Sequence, residues 1–235
     1  MGSVAKQLGL AALLSVAWSG LALAQDAVAE WQAHLAKGAQ LYGINEVPEA
    51  AIEMEMALGL AEKNFAPGDP KLVTTWLNMM PLRRAQNRLE EVSAFGDKVI
   101  PALAKQGGED NPDLMPPLVM MAANYRDLQR YAEADKMYAR ALALYDKYYG
   151  DAHPRTVTVM EERAMMLARA GRTEESFKLW SEVVDLWQYG LGTGHLREAL
   201  SRRGYAEALR QAGKVTEADE MDKRAAEVQA AWERR

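Results

Sequence analysis

The sequence predicts an all-α solenoid of about five helix–turn–helix repeats with a period of 42 residues. Three observations carry that expectation. Pro70, Pro112 and Pro154 follow one another at steps of 42, and Leu196 takes the next place. Glu49, Glu91, Glu133, Glu175 and Glu217 keep the same step, as does the compact column Ala57, Val99, Ala141, Val183 and Ala225. No insertion breaks the register, which is the signature of a repeat architecture. No segment shows sustained strand alternation with hairpin signals.

The N-terminus stands apart from the repeats. Lys6 is the only charge before Asp26, and an uncharged apolar stretch runs from Gly9 to Ala24, ending in Ala22-Leu23-Ala24. This is the layout of a secretory signal peptide. The stretch falls short of the ~20 residues that a spanning helix needs. Residues 1–24 are therefore expected to be a signal cleaved after Ala24, with an uncleaved membrane anchor as the alternative. The mature chain, 25–235, is expected to be periplasmic or secreted, without a membrane span. No cysteine is present, so thiolate metal sites, cysteine nucleophiles and a lipid-modified cysteine are excluded.

The repeats fall at about 28–69, 70–111, 112–153, 154–195 and 196–235. In the first, the apolar columns hold and Pro48 opens the second helix, a position that tolerates proline. The second departs most. It has Gly96 where Tyr138 and Trp180 stand later, Arg83 where Tyr125 and Leu167 stand, and Pro81 and Pro101 inside its apparent helices. Interior proline removes a hydrogen bond and bends the helix, so the repeat is read either as an ordinary divergent copy or as kinked or locally open, a bend that shapes the groove. The third is the most regular. Leu118, Met121, Ala122 and Tyr125 lie at helical spacing. Tyr131, Ala134, Tyr138, Ala141, Leu142 and Tyr145 form a second apolar stripe. The last helix, from Thr216 to Arg235, is richly charged, as a terminal cap must be. It still carries Val228 and Trp232, which either pack back on the last repeat or meet another chain.

The joints are legible too. Asn45, Asn87, Gln129, Gly171 and Gly213 form a polar turn column. Asp69, Asn111, His153 and His195 occupy the place before each repeat, where an N-cap is expected. His153 and His195 are thus read as cap or spacer residues. Consecutive turns about 10 Å apart cannot share a metal. His34 is read as structural or surface. The glutamate column falls in the first turn of each second helix, where the helix dipole favours it, so it is not read as catalytic.

At these columns the chain resembles the tetratricopeptide repeat family, in the long-period form of kinesin light chains. The best match runs from Asn111-Pro112 to Leu142 and includes Leu118, Ala122, Tyr125, Tyr131, Glu133, Ala134, Tyr138 and Ala141. Ala164, Leu167, Gly171, Glu175 and Trp180 follow, then Ala206, Leu209, Gly213, Glu217, Ala218 and Ala225. The resemblance implies a right-handed superhelix, a concave groove lined by the first helix of each pair, peptide or protein binding, and no catalysis. Its groove positions map here to Asn78, Met120, Glu161, Met165 and Arg203, with Arg84, Arg126, Arg169 and Arg210 near the ends of the same helices. Arginine grips carboxylates through two parallel hydrogen bonds, and methionine adapts to varied apolar partners. The same cations are also favoured near helix C-termini for structural reasons.

Composition narrows the function. Charged residues make up 26% of the chain and the net charge is −5, which argues against general nucleic-acid binding. No G-x-S-x-G, H-E-x-x-H, Gly-rich phosphate loop or metal-spaced cluster occurs, so no cofactor or metal is expected. The leading expectation is an exported, non-catalytic scaffold that binds a protein or peptide partner. The alternatives are an envelope protein that dimerises through Val228 and Trp232, and, more remotely, an envelope hydrolase using Asp and Glu.

Overall fold

A computed structural model describes residues 25–190 and 196–234. The segment 1–24, expected to be a signal peptide, and His195, expected to be a cap or spacer, lie outside the described residues. Helix α1 spans 25–43. It is followed by α2 (Val47–Asn64), α3 (Pro70–Ala85), α4 (Leu89–Gly107), α5 (Met115–Asp127), α6 (Tyr131–Tyr149), α7 (Pro154–Arg169), α8 (Thr173–Asp185), α9 (Leu196–Gln211) and α10 (Val215–Glu233). A 3-10 turn, Pro112–Leu114, leads into α5, and α8 runs on as a π-helical turn, Leu186–Gly190. No strand occurs among the described residues. The fold is the all-α, tetratricopeptide-like solenoid of paired helices. The second helices begin at 47, 89, 131, 173 and 215, so the 42-residue ruler is a ruler of helix starts.

The turn column has a single geometric cause. Asn45, Asn87, Gln129, Gly171 and Gly213 all have positive φ, between 58° and 77°. Each closes the preceding helix with the same two bonds. In the second repeat Asn87 N donates to Arg84 O at 2.9 Å and Arg88 N to Arg83 O at 2.8 Å. The pattern recurs at 129–130, 171–172 and 213–214. This is the Schellman ending, which favours glycine or asparagine at the left-handed position. At the other joints Asp69 accepts from Lys71 N at 2.8 Å, Asn111 from Asp113 N at 3.0 Å, and His153 Nδ1 from Arg155 N at 3.2 Å. His153 is therefore a helix cap, stacked on Tyr149 with ring centroids 4.8 Å apart.

The glutamate column also has a local partner. Arg88, Arg130, Arg172 and Lys214, one residue before the second helix of the last four repeats, form ion pairs with Glu91, Glu133, Glu175 and Glu217. These charges reinforce each helix start, and the sequence pattern of basic residues at 88, 130, 172 and 214 marks them.

The described chain forms two compact units, up to Ala102 and from Leu103. In the first, Trp31, Met54, Val73, Trp76, Met79 and Leu82 are buried. Trp31 Nε1 donates to Thr75 Oγ1 at 2.9 Å, and Trp31 meets Phe65 edge-on. Pro81 and Pro101 do not open their helices: α3 and α4 run through both. The arginine that replaces an aromatic residue, Arg83, is buried and reaches Glu55 and Glu91, the latter at 3.0 Å. Buried charge needs such partners. His34 Nδ1 lies 2.6 Å from Glu53, a structural pairing.

In the second unit, Val157, Met160, Ala164, Phe177, Trp180, Val183, Trp187, Ala206 and Leu209 form one apolar cluster. Each large side chain there contributes about 1.5–3 kcal/mol through burial. Ala122, Ala164 and Ala206, at steps of 42 residues, are all fully buried, small enough for neighbouring helices to approach. Asp135 ties α6 to the following repeat through Arg163, at 2.8 Å, and Arg172. Burial raises the Asp135 pKa, but the hydrogen bonds from Arg172 and Arg163 outweigh it and hold the carboxyl below its ordinary value.

Candidate partner-binding site

Two junctions in the second unit show how the surface between first helices is built. Tyr138, on α6, is buried, and its hydroxyl donates to Glu162 on α7 at 3.1 Å. One period later Trp180 replaces Tyr138 and Gly204 replaces Glu162. A Cβ placed on Gly204 would lie 2.5 Å from Trp180 Cη2, so glycine is what lets the indole ring rest against α9. Trp180 is only 2% exposed, and its Nε1 has no acceptor among the described residues. A buried donor without a partner costs about 1–3 kcal/mol. Beside the ring lies a cavity of about 100 Å³, walled by Met165, Ala168 and Arg169 of α7 and by Gly204, Glu207 and Gln211 of α9.

The expected site residues fall into different settings. Met165 is exposed and Arg169 stands beside it, and both line this cavity. Among the described residues Arg169 has no hydrogen bond or ion pair. Arg126 is held by Asp127 at 3.0 Å. Burial would lower the Arg126 pKa, but the Tyr138 hydroxyl, Asp127 and Glu162 outweigh it and keep the guanidinium charged. Met120 is half-buried on α5. Glu161 accepts from Trp187 Nε1 at 2.8 Å and from Ser201 Oγ, so it joins α7 to the π-helical turn and to α9. Arg203 donates to Gln229, and Arg210 pairs with Asp219 and Asp222 of α10, so both hold the last helix in place. In the first unit, Asn78 is half-buried and donates to Thr74 O at 2.8 Å, and Arg84 sits at the end of α3.

A second cavity, of about 490 Å³, lies between α8, α9 and α10. Its wall includes Glu198 and Arg202, buried and paired at 2.9 Å, with Arg202 also donating to Gln188. Val228 lines the same cavity, and Trp232 is exposed. No group of three or more histidine or acidic side chains suited to a metal occurs among the described residues. No described helix is long and apolar enough to cross a membrane.

Comparison with known proteins follows the same lines. The sequence model of the tetratricopeptide repeat family matches residues 113–175 and 156–231, together about half of the chain. The chain is a tetratricopeptide repeat protein. Among solved structures, the kinesin light chain-like repeats of Podosopora anserina align with a TM-score of 0.78 at 19% identity. That alignment covers 87% of this chain and 97% of the other. BtubC (BKLC) from P. vanneervenii aligns with a TM-score of 0.69 at 15% identity, over 83% and 78% of the two chains. YrrB, described as having an unusual peptide-binding site, gives 0.55 at 18% identity, over 84% and 85%. No curated protein matches in sequence. At such identities the likeness of this tetratricopeptide repeat protein to those structures is one of fold.

Trp180 stands among the family-like positions of the sequence, but Gly204, Glu198 and Arg202 were not among the expected features. The signal was present as breaks in register: Gly204 where Glu162 stands, and Arg202 where Trp76, Leu118 and Met160 stand.

Proposed function

We propose that this repeat protein is an exported, non-catalytic scaffold that binds a peptide or protein segment on the face presented by the first helices of its later repeats. The observation that carries the reading is the cavity between α7 and α9. It combines an apolar wall from Met165, Ala168 and Ala208 with the exposed charges of Arg169 and Glu207. Met165 is one of the groove positions that the family resemblance implies, and Arg169 lies near the end of the same helix. Export is supported by the leader-like pattern at 1–24. The test is affinity capture from an envelope extract with the purified protein as bait. Charge reversal at Arg126 and Arg169 is expected to lose the partner while helical circular dichroism is kept. Unchanged capture by that variant would end the reading.

Self-assembly through Val228 and Trp232 of α10 is the second reading, favoured by the exposure of Trp232 (40%). Light scattering decides it: a dimer that Trp232→Asp converts to monomer supports assembly, and an unaltered mass removes it.

A further inference from the structure

We propose that the outward face of α2 docks a basic amphipathic helix of a partner protein. The repeat register sets this face apart. Positions 52, 56 and 59 lie on one side of α2, and neither they nor their equivalents at steps of 42 are buried in any repeat. The fold therefore leaves these columns to solvent. From the third repeat on, the first column holds Lys136, Lys178 and Glu220, and the second holds Arg140, Glu182 and Arg224. The second repeat has Ala94 and Lys98. The first repeat has Ile52 and Met56 instead, 63% and 47% exposed. A missing neighbour does not explain them, because adjoining repeats leave the same columns uncovered elsewhere. Gly59 extends this seam to about 10 Å, two helical turns. Glycine weakens a helix interior, and nothing in the fold asks for it here: a Cβ at this position would meet no atom within 4 Å. What glycine supplies is a place where a large side chain or backbone of another molecule can come close.

Charge selects the occupant. In the last four repeats a basic residue precedes the second helix and pairs with the glutamate column. In the first repeat that place is Glu46, so Glu49 lacks its cation and a second carboxylate stands beside it. Glu46, Glu49 and Glu62 are exposed and have no ion pair among the described residues. By helical geometry Glu49 and Glu53 flank the seam on one side, Glu55 and Glu62 on the other. Glu53 is held by His34 and Lys37, and Glu55 by Arg83. Lys63 is the only basic side chain of α2. An anionic lipid surface would be repelled by this border. A second copy laid antiparallel on the same face would bring Glu49 against Glu62. A helix with an apolar stripe and lysine or arginine on both flanks matches the seam and the free acids together. This surface lies apart from the first-helix face and does not rest on the reading of that face.

The test titrates the whole protein into a fluorescently labelled helical peptide of about 18 residues, with a leucine stripe and lysine on both flanks. Anisotropy is expected to rise saturably. A peptide of the same composition with its leucines dispersed around the helix, and one with glutamate in place of lysine, should each bind at least about tenfold more weakly. Ile52→Gln with Met56→Gln leaves the charge unchanged and puts polar residues where later repeats carry them, so the fold is kept. It should weaken the stripe peptide at least about tenfold. Gly59→Gln, with a better helix former, should weaken it at least about fivefold while helical circular dichroism is retained. Glu46→Gln with Glu49→Gln should lower affinity and flatten its salt dependence. Arg169→Ala should leave the peptide's affinity unchanged. No saturable rise, equal binding of the dispersed peptide, or parent-like binding by the Ile52→Gln, Met56→Gln variant overturns the proposal. So does a parent that light scattering shows as a dimer and that variant as a monomer, which would make a second copy the occupant.

Discussion

Arg202→Met should cost the C-terminal repeat more stability than its chemistry suggests. The column through Trp76, Leu118 and Met160 is buried and apolar in three repeats, and Arg202 occupies it in the last. The column through Leu72, Leu114 and Thr156 ends likewise in Glu198. The two charges lie one helical turn apart and pair at 2.9 Å, with side chains 7% and 3% exposed. Removing the arginine leaves a buried carboxylate without its cation, a loss of about 3–5 kcal/mol. The cavity of about 490 Å³ on the same wall admits water to Glu198, which places the expected loss near the lower end of that range. The double replacement Glu198→Leu with Arg202→Met reinstates the residue types of the earlier repeats and should be neutral or stabilising, by up to about 4 kcal/mol. Solenoids can unfold repeat by repeat, so the assay is amide exchange of α9 and α10 across a urea series rather than a single global signal. With a slope of about 1–3 kcal/mol per molar, the single variant should lower the midpoint of these helices by at least about 1 M. A single variant as stable as the parent, or a double variant as damaged as the single one, would show that the pair is not the buried unit described here.

Three further expectations follow from the fold. Thr75→Val should destabilise the first unit by about 1–3 kcal/mol in urea unfolding, because Trp31 Nε1 loses its acceptor inside the core. Stability should fall as pH drops below about 4: the Asp135 pKa is depressed in the folded state, so its contribution is present above the ordinary carboxyl value and lost as pH falls through the folded one. Asp135→Asn should flatten that part of an acid titration followed by circular dichroism, and an unchanged profile would remove Asp135 from the account. The protein recovered from an envelope fraction should begin at Gln25, as read by intact mass; a start at Met1 would point to a retained anchor.

Much of this fold could be read before any coordinates, because its rules are local. Schellman endings ask for a residue that tolerates positive φ at one place per turn, and the column from Asn45 to Gly213 supplies it. Helix caps ask for a short acceptor before the first turn, and Asp69, Asn111 and His153 supply it. A locally open second repeat is not what the structure shows: a proline ring removes a donor, yet α3 and α4 each run unbroken through their proline. Arg203 and Arg210 show the limit for the candidate site. Their positions follow from the repeat, yet their guanidinium groups are drawn to Gln229, Asp219 and Asp222 on a helix whose partners no local pattern names.

Helix boundaries, turn conformations, the repeat itself and its family were written in the order of residues, because backbone hydrogen bonding within a turn depends on neighbours a few positions away. Three-dimensional packing alone brought Trp180 over Gly204, set Met165 and Arg169 against Glu207, and buried Glu198 with Arg202. The first two are contacts between successive repeats and depend on residues far apart in the chain that fit together; Glu198 and Arg202 lie one turn apart on α9, and their burial depends on the rest of the fold.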